Sequence, residues 1–533
     1  MNRRSFLRSG VATAAAAGIT RFAFASEFAG FVESTSASPP QFQTANARWQ
    51  TAYDSAITVL AGNVQVLPHF DKPVLIEGSV YRGIWQECGP HESLVYRKFR
   101  PDVARNTHMT FFALQKPDGQ LPANNKTSET GFGQIQMVVP IAATAWELAR
   151  ATGDDELLRA GYAACSRWDD WLMKFRNTRG TGLVEGFCTY DTGNDNSPRF
   201  AGIPNQCPNK DAKECPPVPS LPRLCPDLSA TIYGQRIALA AMANALGNSS
   251  GVVRWLESAE HLRNLILTKL YVAEDAAFYD LDAQDHFVKV RSEIITRICS
   301  EHVVDQNLFN ALWQRQIHAA AFWPAYPLPS VAMDDPKFVR PIPRNSWGGA
   351  TQALTALRAG RWFDHYHRSA EFTQMMDAWC NSIQTDVANH APGFRQQMDP
   401  LTGDFSQQDA AGYSPCALVM LDYTWRLAGV VEEPEVLCWN VRPNHPAAQS
   451  ARFGLTSDTG RKLELIYKAP GADLLLDGKL LANLSGTARL VTGKRGELKE
   501  LVGIDPQPQK IVLSQPGRRP RSFSLAPNQQ ILL

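Results

Sequence analysis

The sequence predicts a mostly α protein, with a toroid of helical hairpins over residues 45–430 followed by a small C-terminal β-sandwich over 437–533. Two observations predict it. Through the first region, apolar residues recur at helical spacing in paired segments, separated by long loops carrying Gly, Pro, Trp and charge. After Pro434 that period gives way to short alternating runs broken by turn dipeptides. Paired helices with long intervening loops suit a ring whose loops gather at one mouth.

The helices can be justified in order. The spacing predicts one over 138–150. Asp154-Asp155-Glu156 then opens another by capping and by favouring its positive end, and Leu158, Tyr162, Cys165 and Leu172 give it one apolar face. Asp227 is expected to cap an Ala-rich helix over 229–246, suited to close packing. Segments 252–270, 305–322, 348–359, 370–385 and 414–427 read likewise. In the C-terminal region, Lys462-Leu463-Glu464-Leu465-Ile466-Tyr467 alternates, and Asp477-Gly478 is a hairpin signal. Thr459-Gly460, Ser485-Gly486 and Pro516-Gly517 punctuate further strands. This second region holds no cluster of catalytic groups and reads as an accessory.

The first 25 residues read as a targeting segment. Arg3-Arg4 precede Phe6-Leu7, a short Ala-rich run follows, and Ala23-Phe24-Ala25 has the small-x-small form that a signal peptidase cuts. Twin arginines ahead of a mild apolar run imply export of an already folded chain by the twin-arginine machinery, with 26–44 as a linker. The expected location is periplasmic or secreted, with no membrane anchor after processing. A net charge of +1 over 533 residues leaves no electrostatic footprint for nucleic acid. No dinucleotide fingerprint, phosphate loop or nucleophile elbow is present. His91, His108 and His390 show no metal spacing and read as structural or substrate-contacting; no organic cofactor is implied, and the chemistry requires no metal, with a structural Ca²⁺ left open. Three of the ten cysteines, Cys207, Cys215 and Cys225, fall in the Pro-rich stretch 204–226, where a Cys207–Cys215 disulfide is the first expectation in an exported protein. Zinc is the rival there, without a nearby histidine to complete a tetrahedral set.

The densest chemistry lies in Tyr190-Asp191-Thr192-Gly193-Asn194-Asp195-Asn196-Ser197-Pro198-Arg199-Phe200. Pro198 stops any helix through it, so it reads as a loop, and an acid held there beside aromatic walls would have the raised pKa that a general acid needs. Its Asp and Asn residues could equally close turns.

Several blocks, in order, resemble the (α/α)6-toroid enzymes around glycoside hydrolase family 63, which include processing α-glucosidase, trehalase and mannosylglycerate hydrolase relatives. Gly83-Ile84-Trp85-Gln86-Glu87 resembles the aromatic–acid block of the sugar pocket. Asp118-Gly119-Gln120-Leu121-Pro122, Gln136 and Ala145-Trp146-Glu147-Leu148 follow the family's "DGxxP … TQPP … WELYRATGD" run. Asp191 to Arg199 is close to "ESGMDNSPRW", Arg344-Asn345-Ser346-Trp347-Gly348-Gly349 resembles "YWRGPVW", and Pro400-Leu401-Thr402-Gly403 resembles "NPxTG". The resemblance spans about residues 80 to 425 and implies an O-glycosidase acting with inversion on an oligosaccharide or glycoconjugate. The motif aspartate implies Asp195 as general acid.

An inverting pair needs a second carboxylate about 6.5–9.5 Å away to activate water. The resemblance puts that base at residue 396, and this chain has Gln396 there, which cannot take a proton. A nearby carboxylate (Asp399, Asp404 or Asp409) could have taken over, Glu87 could act from the opposite wall, or the scaffold could bind sugar without hydrolysis. The reading favours a relocated base, with Asp399 and Glu87 as its first candidates. Trp85, Trp323 and Trp347 are candidates to stack on sugar faces. Gln136, Asp191, Arg199, Arg395 and Gln396 are candidates to bind substrate, Arg199 and Arg395 through an anionic group such as a uronate. A uronate lyase using Tyr190, Tyr413, His390, Arg199 and Arg395 is the alternative reaction class, and a non-catalytic glycan-binding protein the other.

Overall fold

The computed structural model describes residues 39–533, so the targeting segment and its cleavage site lie outside the described residues. Twelve α-helices follow among these residues: α1 (Ala47–Gly62), α2 (Gly89–Tyr96), α3 (Pro101–Ala113), α4 (Ile141–Thr152), α5 (Asp155–Phe175), α6 (Pro226–Ala245), α7 (Ser249–Lys269), α8 (Ile294–Ser300), α9 (Gln306–Gln316), α10 (Ala353–Arg358), α11 (Ser369–Asn389) and α12 (Ser414–Ala428).

Capping explains several starts. The Asp154 carboxylate accepts the Leu157 N–H at 2.8 Å to open α5, and Asp305 does the same for α9 through Leu308. Asp227 does not cap as expected. It lies inside the first turn of α6, after Pro226, with its carboxylate turned to Arg199 and Arg297. The helix expected over 305–322 stops at Gln316, and the one expected over 348–359 starts only at Ala353.

Helix packing runs in a circuit. α2 touches α4, α4 touches α6, α6 touches α8, α8 meets the turn 359–361 that ends α10, α10 touches α12, and α12 returns to α2. Others pack outside it: α1 on α11 and α12, α3 on α2 and α5, and α7 on α6. The apolar core is continuous across these helices, with Trp168, Trp171, Trp255, Trp362 and Trp379 fully buried. Glu87, Gln136, Asp227, Glu293, Gln352 and Tyr413 sit just before, or in the first turn of, α2, α4, α6, α8, α10 and α12 in turn. The six circuit helices thus direct their N-terminal ends, which favour negative charge, to one region.

The C-terminal strands form two antiparallel sheets. One has five strands (430–432, 436–441, 488–493, 498–502 and 530–532), and it packs on α12. The other has seven and includes Gln41–Gln43, which pairs with Arg452–Gly454; part of the stretch expected to be a linker is therefore a strand with Phe42 buried. Lys462–Lys468 alternates exposed and buried positions, as a strand with one covered face must. The Asp477-Gly478 hairpin forms as expected, with positive φ at both residues (51° and 73°) joining Leu476 to Lys479. Arg489 reaches out of the sheet to Asp364 at 2.8 Å, tying the two regions together.

Candidate active site

The loop between Glu185 and Phe200 is held by two buried anchors. Asp191 accepts backbone N–H bonds from Ile135 (2.9 Å), Phe187 (2.7 Å) and Cys188 (3.1 Å), and pairs with Arg176 at 2.5 Å. Arg199 spends its fork on Asp227 (2.7 and 2.8 Å), Asp280 (2.7 Å to each oxygen) and Asn194 (2.9 Å). Asn194 in turn donates to Glu293 at 3.0 Å, and Glu293 also accepts from Arg297, Thr355 and Arg358. Burial would raise the Glu293 pKa, but the Arg297 and Arg358 charges outweigh it and hold the carboxyl at about 2.

Between these anchors the chain turns through Gly193 (φ 66°), where a Cβ would come to 2.0 Å from Glu87 Oε2. Only glycine permits that approach, and it brings the Glu87 carboxyl against the Asp195 loop. Asp195 itself has one oxygen satisfied: Oδ2 accepts from Asn345 Nδ2 at 3.0 Å, while Oδ1 is buried without a partner. Its backbone carbonyl takes the Trp347 N–H at 3.0 Å. Burial raises the Asp195 pKa to about 6 against the pull of the Asn345 bond. Burial, and then the Asp195 charge, raise Glu87 to about 8, with Gln136, Arg297 and Arg358 opposing.

A hydrogen-bonded chain closes the other side. Tyr81 OH donates to Gln396 Oε1 at 2.7 Å, Gln396 Nε2 donates to Asn345 Oδ1 at 2.9 Å, and Asn345 donates to Asp195. Burial pushes the Tyr81 phenol above its usual range, helped by the charges of Glu77, Asp195, Asp409 and Glu87. Tyr413 OH donates to Glu77 Oε1 at 2.6 Å, and burial, then the Glu87 and Glu92 charges, raise Glu77 well above the carboxylate range. The arrangement raises a carboxylic acid to about 6 beside a polar wall, which brings it toward the range that protonating a leaving oxygen requires.

The sequence profile of the mannosylglycerate hydrolase MGH1-like glycoside hydrolase domain matches residues 81–425, well over half of the chain. The chain belongs to this family, and it is a glycosidase. Among curated proteins no significant relative was found. Solved structures share the fold at low identity. The family 63 mannosylglycerate hydrolase of Thermus thermophilus in complex with Tris aligns with TM-score 0.56 and 18% identity, covering 70% of this chain and 100% of that one. The family 78 rhamnosidase of Bacillus sp. GL1 gives 0.58 and 11%, covering 82% and 41%. The neutral trehalase of Saccharomyces cerevisiae gives 0.52 and 12%, covering 69% and 79%.

The glycosidase brings together only some of the residues singled out in the sequence. Asp195, Glu87 and Gln136 lie together, Gln396 reaches Asp195 through Asn345, and the Trp347 backbone N–H donates to the Asp195 carbonyl. Trp85 packs edge-on to Tyr81 at 5.8 Å and against the apolar cluster of Cys88, Trp347 and Leu354. Asp191 and Arg199, expected to bind substrate, have their hydrogen-bonding capacity taken by the protein and act as scaffold. Arg395 is likewise committed, donating to Asp386 and to the Asp409 backbone carbonyl. Trp323 is not with the site residues; it packs on Trp313 and Phe363 in an aromatic cluster beside α9. Asp399, a candidate base, closes a turn by accepting from the Leu401 and Thr402 amides and pairs with Arg340 at 3.0 Å. Cys207 and Cys215 are free thiols; Cys207 Sγ turns to Cys188 and accepts from Arg176 instead of bridging Cys215.

Tyr81, Glu77 and Asn345 were not singled out as site residues. Asn345 lies within the block Arg344 to Gly349, and its left-handed backbone (φ 46°) marks a special position, but nothing local showed that it would reach Asp195. Among the described residues, three groups of acids and thiols lie close enough to share a cation. Arginine pairs with two of them, through Asp191 and Asp227, and in the third burial raises the pKa of Glu77, Glu87 and Cys88.

Proposed function

We propose that this glycosidase is exported and cleaves an O-glycosidic bond with inversion, with Asp195 as the general acid and a carboxylate other than residue 396 as the base. The observation that carries the reading is the Asp195 carboxyl, raised to about 6, with one oxygen buried and unpartnered on a half-buried residue. A carboxyl poised there holds its proton long enough to deliver it and parts with it readily once the leaving oxygen gains charge. The circuit of helices supports an (α/α)6 toroid as the catalytic domain, and the two antiparallel sheets support an accessory sandwich. The paired arginines and the Ala-x-Ala site support twin-arginine export and work in the periplasm or outside the cell. The substrate class is an oligosaccharide or small glycoconjugate, as with the mannosylglycerate hydrolase and trehalase that share the fold.

A uronate lyase is disfavoured by the same geometry. Lyase chemistry needs a phenolate or free imidazole beside a free cation. Burial raises the pKa of both Tyr190 and Tyr413, and Arg199 and Arg395 are already committed. The glycan-binding alternative rests on Gln396, whose amide is engaged at both ends. Time-resolved NMR on a panel of oligosaccharides tests the proposal. A new reducing end in the inverted configuration supports it; ligand-induced shifts without turnover favour the binding protein, and ultraviolet-absorbing unsaturated products favour the lyase.

A further inference from the structure

Resting on the glycosidase reading, we infer that Asp409 is the relocated general base. The segment carrying Asp409 lies against the one carrying Gln396: Ser406 N–H donates to the Gln397 carbonyl at 3.0 Å, Tyr413 N–H donates to the Phe394 carbonyl at 2.9 Å, and Arg395 donates to the Asp409 carbonyl. Gln396 in turn donates to Asn345, which donates to Asp195, so Asp409 stands beside the residue whose amide leads to the acid. Asp409 is 5% exposed, and its Oδ2 has no partner. The segment is pinned, because Asp409 N–H donates to the Ser406 carbonyl at 3.1 Å and its own carbonyl accepts from Arg395.

The rivals are otherwise engaged. Gln396 cannot accept a proton and has both amide ends bonded. Asp399 closes its turn, and Asp404 is exposed. Glu87 lies against Gly193, on the acid's own loop, and at about 8 it holds its proton at neutral pH. Burial raises Asp409 only to about 6, because the Asn345 amide, Arg344, Arg395 and Ser406 oppose it. Asp195 lies at about 6 as well, so pKa does not separate the two roles and position must.

In the step, Asp195 gives its proton to the glycosidic oxygen as the bond from that oxygen to the anomeric carbon breaks. Water forms its bond to that carbon from the opposite face and passes a proton to Asp409 Oδ2. The products are a hemiacetal of inverted configuration and an alcohol. Exchange with solvent returns Asp195 to its acid and Asp409 to its carboxylate.

The test uses the mature protein and a panel of 2,4-dinitrophenyl glycosides, whose leaving group needs no acid. Asp409→Asn is expected to lower kcat by about 100-fold or more. Sodium azide, a nucleophile that needs no base, is expected to restore turnover and give the glycosyl azide of inverted configuration. Rescue also shows that the variant is folded. Asp409→Glu gives a second reading, with kcat lowered and KM held. Asp404→Asn serves as the unaffected control. Wild-type turnover by Asp409→Asn, or azide rescue confined to Glu87→Gln, overturns the assignment and leaves the glycosidase reading standing. A wild-type protein that binds but turns over none of the panel overturns that reading, and the base with it.

Discussion

Two polar clusters lie at the same end of the helices, built from the same residue types, and they differ in one respect. Around Arg199, the guanidinium is matched against Asp227, Asp280 and Asn194. Around Asp195, the carboxyls of Asp195, Glu87 and Asp409 each keep a buried oxygen with no partner. The saturated cluster has nothing left to offer a substrate and is scaffold. The under-satisfied one carries raised pKa values and unused acceptors, which is where chemistry can occur. Chemical identity does not separate the two; completeness of pairing does.

The largest expected effect comes from breaking the saturated cluster. Arg199→Ala leaves Asp227 and Asp280 buried without their cation and is expected to cost about 3–5 kcal/mol, read as loss of folded protein in denaturant titration. An unchanged midpoint would overturn the scaffold role. Asp195→Asn makes the opposite cut. Turnover of a substrate with a poor leaving group is expected to fall about 100- to 10,000-fold while the melting temperature holds, since the substitution removes a buried carboxyl that burial disfavours. The alkaline limb of the wild-type rate profile, falling as pH rises through about 6, should vanish with it.

Glu87→Gln sharpens the contrast through pH. The folded-state pKa of Glu87 is raised to about 8, above its unfolded value of about 4.3. Its contribution to stability is therefore fullest below about 4.3 and is lost as pH rises through about 8, at up to about 1.4 kcal/mol per pH unit. The variant is expected to flatten that slope in thermal melts taken from about pH 5 to about pH 8; an unchanged slope would mean that Glu87 is ionised throughout. Smallest is Asp399→Asn. Its partners are two turn amides and a partly exposed Arg340, so a change of about 1 kcal/mol or less and near wild-type turnover are expected. A large loss of turnover would return Asp399 to candidacy as the base.

Local pattern determined much of this protein. Helical periodicity, the Asp154 and Asp305 caps and the alternating run before the Asp477-Gly478 hairpin depend on neighbours a few residues away, so they are readable along the chain. The order of the blocks from Trp85 to Gly403 was enough to point to the family and to Asp195. Tertiary structure alone decided which of the chemically similar groups are spent. Asp191 and Arg199 were candidates to touch substrate because their partners were invisible: Arg176 lies across a turn, and Asp280 and Asp227 lie far along the chain. Tyr81 and Asn345 escaped notice for the converse reason, since they reach Gln396 and Asp195 only when the N-terminal ends of the circuit helices converge. Whether a buried charge serves as scaffold or as reagent depends on how completely it is paired, and pairing is a property of three-dimensional neighbours rather than of sequence neighbours.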